Sequence, residues 1–149
     1  MEDIQQALPF ALKYAGDRVD ELSEGSVMLA FWLAAHGSWE DVAVRRDETS
    51  FLKVKKDSTA EIGKRMCVRG RVIQISRAGA DLPVFEGNLM LPGFKVVNFL
   101  SFGSTGELVE HSRARFCGFV TGRYAFSNVS GGQTQAVQLV GAFDLPENH

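Results

Sequence analysis

The chain has few of the residues from which metal sites, disulfide frameworks and catalytic centres are built. Its 149 residues include two cysteines and three histidines, and neither type has the close spacing of a metal-binding motif. Cys67 and Cys117 stand far apart in segments that we predict to be strands. Because an unpaired cysteine behaves as a small core residue, we expect two buried free thiols. The sequence predicts no metal site and no cofactor.

A long apolar run is also missing. The longest, residues 27–35, is too short to cross a bilayer. The first ten residues, MEDIQQALPF, are acidic where a secretory signal is basic. We therefore expect a cytoplasmic protein with no membrane partner.

The charge is nearly balanced but unevenly distributed. The net charge of −2 excludes a strongly basic nucleic-acid coat protein. Residues 1–62 carry 7 Lys or Arg against 12 Asp or Glu, whereas residues 63–149 carry 9 against 6. This asymmetry predicts two regions with different roles, and any affinity for nucleic acid should be modest and sensitive to salt.

The sequence shows no catalytic motif. His36, His111 and His149 have no acid or nucleophile at the spacing of a known triad or metal hydrolase. We therefore expect a binding protein rather than an enzyme, with no catalytic residue.

Helical patterns occupy the first third of the chain. Apolar residues have helical spacing in 3–15, where Asp3 can cap the helix, and in 26–36, where Ser26 can. Residues 17–25 fit a short helical continuation and a turn. The second helix is apolar on all sides, so it is buried against the rest of the chain or covered by a partner.

Short elements link this region to the second part of the chain. Residues 38–44 open with a Ser-x-x-acid pattern and predict another short helix. Residues 51–57, FLKVKKD, alternate apolar and basic side chains as a half-buried strand does. Ser58 and Glu61 form a capping-box pattern that predicts one helical turn.

Five strands are predicted after residue 62. The first, 63–76, contains Gly70, and its apolar alternation changes parity beyond Val72, which predicts a bulge near one of these residues. Strands at 84–91 and 94–103 complete a meander of three. After a connection at 104–112, strands at 113–126 and 135–145 form a hairpin.

This meander followed by a hairpin, with the glycine-bent segments GRVIQIS and GFVTGRY, resembles the oligonucleotide/oligosaccharide-binding fold, or OB-fold. It is similar to small bacterial OB domains of the anticodon-binding type. The resemblance implies an α+β chain in which an N-terminal helical region, 1–62, precedes a five-stranded, OB-like antiparallel β-barrel, 63–145, and a short tail, 146–149.

The resemblance also implies a binding surface on the second and third strands, bordered by the loops 77–83 and 127–134. Arginine and lysine side chains near this surface would contact phosphates, and aromatic rings would stack on bases. The candidate nucleic-acid-binding residues are Arg69, Arg71, Arg77, Lys95, Phe94, Arg115, Arg123, Tyr124 and Phe126. In the same region we expect Phe85, Phe99 and Phe116 to be packing residues.

Two functions follow from these patterns. In the first, the barrel binds single-stranded DNA or RNA and the helical region regulates it. In the second, the protein is an interaction or assembly module that meets a protein partner or a second copy of itself through residues 26–36. The two differ in where the basic residues lie, because a nucleic-acid site needs them along one groove.

Overall fold

The computed structural model describes residues 3–149, which form an α+β fold of five helices and a six-stranded sheet. The helices are α1 (Ile4–Leu12), α2 (Glu24–His36), α3 (Trp39–Val42), α4 (Phe51–Lys56) and α5 (Ser58–Glu61), and Pro146–Asn148 form a 3-10 turn. The strands are β1 (Arg18–Val19), β2 (Arg65–Arg77), β3 (Val84–Leu91), β4 (Lys95–Phe102), β5 (Arg113–Ser127) and β6 (Gln133–Phe143).

The helix starts follow local capping. The Asp3 side chain accepts a hydrogen bond from the Gln6 N–H at 3.0 Å and begins α1 as predicted. Helix α2 begins one turn earlier than predicted, because Ser23 is its N-cap. The Ser26 hydroxyl, expected to be the cap, instead donates to Thr121 Oγ1 of β5 at 2.8 Å. Ser26 therefore ties the helix to the sheet.

Two predictions in the N-terminal region, 1–62, are wrong. Residues 51–57 contain helix α4 rather than a strand, because Ser50 caps it and Val54 inserts among the strand side chains. Residues 17–25 contain β1, which pairs in parallel with Tyr124 and Ala125 of β5, rather than a helical continuation. The sheet thus has six strands instead of five.

The five long strands form a closed ring. The meander β2–β3–β4 is antiparallel, β4 pairs in parallel with β6, and β6 and β2 both pair antiparallel with β5. Each of these strands therefore has two neighbours. The predicted meander and hairpin are confirmed, and the connectivity fits the resemblance to the OB-fold. The prediction of an antiparallel barrel is wrong at one pairing, because β4 and β6 run parallel.

Strand β2 bends so that it serves two neighbours. Residues 65–71 pair with β5 and residues 71–77 pair with β3, with a register shift between Val72 and Gln74. A Cβ atom at Gly70 would lie 2.6 Å from the Met90 carbonyl oxygen, so only glycine permits this close approach. The bulge predicted near Gly70 or Val72 is confirmed at Val72.

Two apolar cores lie on opposite sides of the strand ring. The inner core fills the ring and includes Phe99, Phe116, Phe143 and Val54 of α4. The outer core joins α2 to the outward side chains of β4, β5 and β6, with Leu29 and Leu33 fully buried. The apolar α2 is thus covered within its own chain.

The expectation of two free thiols is wrong, because Cys67 and Cys117 form a disulfide. They lie directly opposite each other on the antiparallel pair β2–β5, and their Cα atoms are 4.0 Å apart. The OB-fold resemblance implied that these two strands are neighbours, but only the register places the two cysteines opposite each other. The cytoplasmic location stays a prediction.

Asp17 fastens the helical region to β5. Its carboxylate accepts hydrogen bonds from the Arg123 backbone N–H at 2.8 Å, from Arg123 Nη2 at 2.6 Å and from Ser58 Oγ at 2.7 Å. Burial raises the pKa of Asp17, but the hydrogen bonds from Arg123 and Ser58 outweigh it and leave the pKa below its ordinary value.

Within residues 3–149, no helix has both the length and the apolar content to cross a membrane.

Candidate nucleic-acid interface

The helical region covers much of the strand face that the resemblance to the OB-fold implied as a binding surface. Leu100 and Phe102 of β4 and Val84 of β3 point outward, and all three lie in the outer core with α2. The loop 77–83 also packs on α2, because a Cβ at Gly79 would be 3.0 Å from the Phe31 ring. A ligand would have to displace α2 to reach these residues.

The part of this face beyond the helices is polar and acidic. Asn98 of β4 donates to Asn88 of β3 at 3.0 Å, and Gln138 of β6 donates to the Asn98 carbonyl oxygen at 3.2 Å. Burial and the negative charges of Glu86 and Asp20 raise the pKa of Tyr124. Two carboxylates beside Tyr124 make this surface a poor place for phosphates.

The open part of the ring surface carries four arginines in two facing pairs. Arg69 lies opposite Arg115, and Arg71 lies opposite Arg113, on neighbouring strands β2 and β5. Because side chains alternate along a strand, all four project to the same outer face. We call this set the arginine ladder. Like charges directly opposite each other destabilise a sheet, so the ladder has a structural cost.

Most of the ladder has no neutralising partner. Within the described part of the chain, Arg69, Arg71 and Arg113 make no ion pair, whereas Arg115 Nη1 lies 2.8 Å from Asp144 Oδ2. The nearby Glu107 and Glu110 are exposed and make no ion pair with these arginines. The ladder therefore presents about three uncompensated positive charges to solvent.

The ladder borders a groove of about 880 Å³ at the point where β2 bends away from β5. Its lining combines arginines, an apolar part that we call the apolar wall (Met90, Leu91 and Pro92), and the polar His111 and Asp144. It is lined by the arginine ladder with Gly70, Val72, Ile73, Met90, Leu91, Pro92, Leu108, His111, Ala114, Phe143, Asp144 and Leu145. Its size is that of a typical ligand pocket.

The segment 108–112 is held against β2 by backbone hydrogen bonds. The His111 N–H donates to the Val72 carbonyl oxygen at 2.7 Å, and the Val72 N–H donates to the Ser112 carbonyl oxygen at 2.8 Å. His111 adopts φ of +77°, a left-handed conformation that is strained for a residue other than glycine. This strain is offset by contacts that fix the wall of the groove.

At one end of the ladder, Asp144 bridges Arg115 and His149. His149 Nε2 lies 2.6 Å from Asp144 Oδ1, and the His149 ring stacks on Trp39 of α3 with centroids 4.7 Å apart. Burial raises the pKa of Asp144, but hydrogen bonds from Arg115 and His149 lower it more, so its pKa lies below the ordinary value. Asp144 therefore stays charged and partly neutralises Arg115.

The structure brings together some of the predicted binding residues and separates the others. Arg69, Arg71 and Arg115 meet in the groove. Arg123 is bound to Asp17, and Arg77 donates to the Gly79 carbonyl oxygen while lying over the Phe85 ring. These two guanidinium groups have structural partners.

The remaining predicted residues lie outside the groove. Phe94 is 89% exposed at the tip of the β3–β4 turn. Lys95 is the next residue and lies over the Phe51 ring of α4. Tyr124 and Phe126 contact each other, with centroids 5.8 Å apart, on the far half of β5.

Arg113, which completes the ladder, was not among the predicted residues. Its signal was its alternation with Arg115 on a predicted strand, but the register with β2 is needed to place it opposite Arg71. Leu108 and His111 were missed because the connection between β4 and β5 has no strand pattern. No group of three or more His, Cys, Asp or Glu in residues 3–149 is arranged to hold a metal ion.

No family model matches the chain, and no curated protein matches its sequence. Two solved structures of Rim1, the mitochondrial single-stranded DNA-binding protein of S. cerevisiae, are similar at 14% identity. Their TM-scores are 0.38 and 0.36. The matched regions cover 57% and 58% of this chain and 95% and 98% of the Rim1 chains. The identities and TM-scores are too low for this similarity to indicate a function. Function is therefore argued from the residues of the groove.

Proposed function

We propose that this protein is a non-catalytic binding protein that holds single-stranded nucleic acid in the groove beside the arginine ladder. In this proposal the strand ring is an OB-type barrel whose ligand lies on β2 and β5 instead of β3 and β4. The observation that carries it is the ladder, with two facing arginine pairs and three unpaired guanidinium groups.

The ladder supports phosphate as the chemical group that is bound. Guanidinium groups pair with phosphates through two parallel hydrogen bonds. An anion between two facing arginines would also remove the repulsion that the empty ladder carries. A repulsion that is present in the free protein and is relieved by a bound anion is typical of a binding site.

The apolar wall supports a single strand rather than a duplex. Met90, Leu91 and Pro92 line the groove with the ladder, and Met90 pairs directly with Arg71. Apolar surfaces beside a basic track accept the faces of unpaired bases. The bases of a duplex are stacked inside the helix and cannot reach such a wall. The groove can contact the phosphate backbone and the faces of the bases, but not their edges, so we expect little sequence preference.

The alternative, a protein-interaction module using residues 26–36, stays a prediction. The observation behind it was the apolar character of α2, and α2 buries Leu29, Ala30 and Leu33 against its own strand ring.

Fluorescence anisotropy with labelled dT12 and rU12 over a salt series tests the proposal. We expect saturable binding whose log affinity falls with log salt at a slope at least as steep as about −2, because the ladder alone contacts about three phosphates on a single strand. Arg71→Ala with Arg113→Ala should weaken binding at least about tenfold and reduce the slope. Lys13→Ala, at the C-cap of α1, is the matched control and should bind like the wild type.

Two results would overturn the proposal. One is the absence of saturable binding at low salt. The other is unchanged affinity in the variant lacking Arg71 and Arg113, since binding would then occur elsewhere on the protein.

A further inference from the structure

A second group of cations lies around Phe51 of α4. Lys55 of this helix and Lys95 of β4 approach the same Phe51 ring, with their Nζ atoms 6.0 and 5.9 Å from its centroid. Neither makes an ion pair within residues 3–149, and the same is true of Lys53 and Lys56. We call Phe51, Lys55 and Lys95 the lysine cluster.

The acidic side chains near this cluster already have other partners. The Asp57 carboxylate caps α5 by accepting from the Ala60 N–H at 3.3 Å. Glu61 accepts from Thr49 at 2.6 Å and from Lys64 at 3.2 Å. The helix dipole favours a lysine in the last turn of α4, but it does not explain Lys95, which belongs to a strand.

The lysine cluster is continuous with the groove through the β3–β4 turn. Leu91, on the apolar wall of the groove, pairs directly with Lys95 across this hairpin. Between them the turn carries Pro92, which also lines the groove, and Phe94. Phe94 is 89% exposed with φ of +60°, so the turn displays a bare aromatic ring in a strained conformation.

We propose that a nucleic-acid strand leaving the arginine ladder crosses the β3–β4 turn and is held again at the lysine cluster. This inference rests on the proposed function and extends it to a second contact region. Phe94 stacks on a base at the crossing, and Lys55 and Lys95 contact phosphates beyond it. An ammonium is a point charge without the planar fork of arginine, so this contact adds affinity without fixing the orientation of the strand.

The consequence is a dependence on oligonucleotide length. A tetranucleotide fills the groove alone, whereas a strand of about twelve nucleotides, within the range bound by single OB-folds, reaches both regions. Substitutions at the turn and the lysine cluster should therefore affect the longer ligand only.

Anisotropy with labelled dT4 and dT12 at low salt tests this inference. We expect Lys55→Ala with Lys95→Ala to weaken dT12 binding about tenfold and to leave dT4 binding unchanged. Phe94→Ala should also weaken dT12 about tenfold. Lys13→Ala should change neither. Lys55→Gln with Lys95→Gln removes the charges while keeping most of the side-chain length, and it should weaken dT12 binding as the alanines do, which excludes a packing effect at Phe51.

The outcomes separate the two proposals. If the wild type binds both oligonucleotides and the lysine variants bind dT12 normally, the second contact region is refuted and the groove site stands. Equal weakening of dT4 and dT12 would also refute it, since the lysines would then act on the groove itself. If the wild type binds neither, the groove proposal fails as well.

Discussion

Strand β5 has one outer face with two different surroundings. At Cys117 and Phe119 this face is buried under the helices, and at Arg113 and Arg115 it is open and charged. The strand pairing is the same in both places. The N-terminal helices therefore determine which part of the ring surface remains available to a ligand. The side chains of β5 differ accordingly, being apolar under the helices and charged beyond them.

The covered face should depend on the packing of α2. Leu33→Ala removes a fully buried side chain from the outer core and should lower the free energy of unfolding by about 3 kcal/mol. Val27→Ala, at an exposed position of the same helix, should lower it by less than about 0.5 kcal/mol. Urea denaturation measures both. Equal effects would mean that α2 does not pack on the ring as described.

The disulfide marks the border between the covered and open faces, because its rung lies next to Arg69 and Arg115. Replacing both Cys67 and Cys117 by alanine should lower the free energy of unfolding by about 3 kcal/mol, since the cross-link no longer restricts the unfolded chain. Wild-type protein denatured with an excess of dithiol reductant should show a similar loss. A variant as stable as the oxidised wild type would contradict a native disulfide.

Asp17 secures the helices that create the covered face, and its contribution should depend on pH. Asp17→Asn should lower stability by about 1 kcal/mol at pH 7, a modest figure because the ion pair with Arg123 is partly exposed.

The folded-state pKa of Asp17 lies below the ordinary value of 3.8. Its stabilisation is therefore complete above about pH 4 and is lost as the pH falls through the folded pKa. The difference between wild type and Asp17→Asn should shrink on acidification, measured by urea denaturation at pH 7, 4 and 3. A constant difference would assign the effect to shape rather than charge.

On the open face, unlike the covered face, a substitution that weakens binding should raise stability. Arg71→Ala relieves the repulsion from Arg113 and should raise the free energy of unfolding by about 0.5 kcal/mol, while it weakens nucleic-acid binding. Thermal unfolding at low salt is the most sensitive measurement, because salt screens the repulsion. A clear loss of stability would show that Arg71 is a structural residue, and the ladder would then need another explanation.

The strands were predictable from sequence because their patterns are local. Alternating side chains and glycine positions gave the five long strands nearly residue by residue, and the parity change beyond Val72 located the bulge. The strand prediction for residues 51–57 was wrong, because their alternation of apolar and basic side chains also fits a short helix with one buried residue. The Ser50 cap favours the helix.

The candidate site was only partly predictable, because it depends on register and on long-range packing. Arg69, Arg71 and Arg115 were named from composition, but only the pairing of β2 with β5 shows that they face one another and that Arg113 joins them. The apolar character of α2 indicated that it would be buried, but not that it would cover β3 and β4, the strands of the expected binding surface. The pairing of Cys67 with Cys117 is a contact of the same long-range kind.

The bond network of Asp17 joins residues 106 positions apart, which constrains the order in which the chain folds. During synthesis α1 and α2 emerge well before β5 and β6, the strands against which they pack. Folding that depends on such distant contacts is slow, and the apolar residues of α2 stay exposed until those strands arrive. We therefore expect the N-terminal third of the nascent chain to need the most protection from aggregation until the last strand has been made.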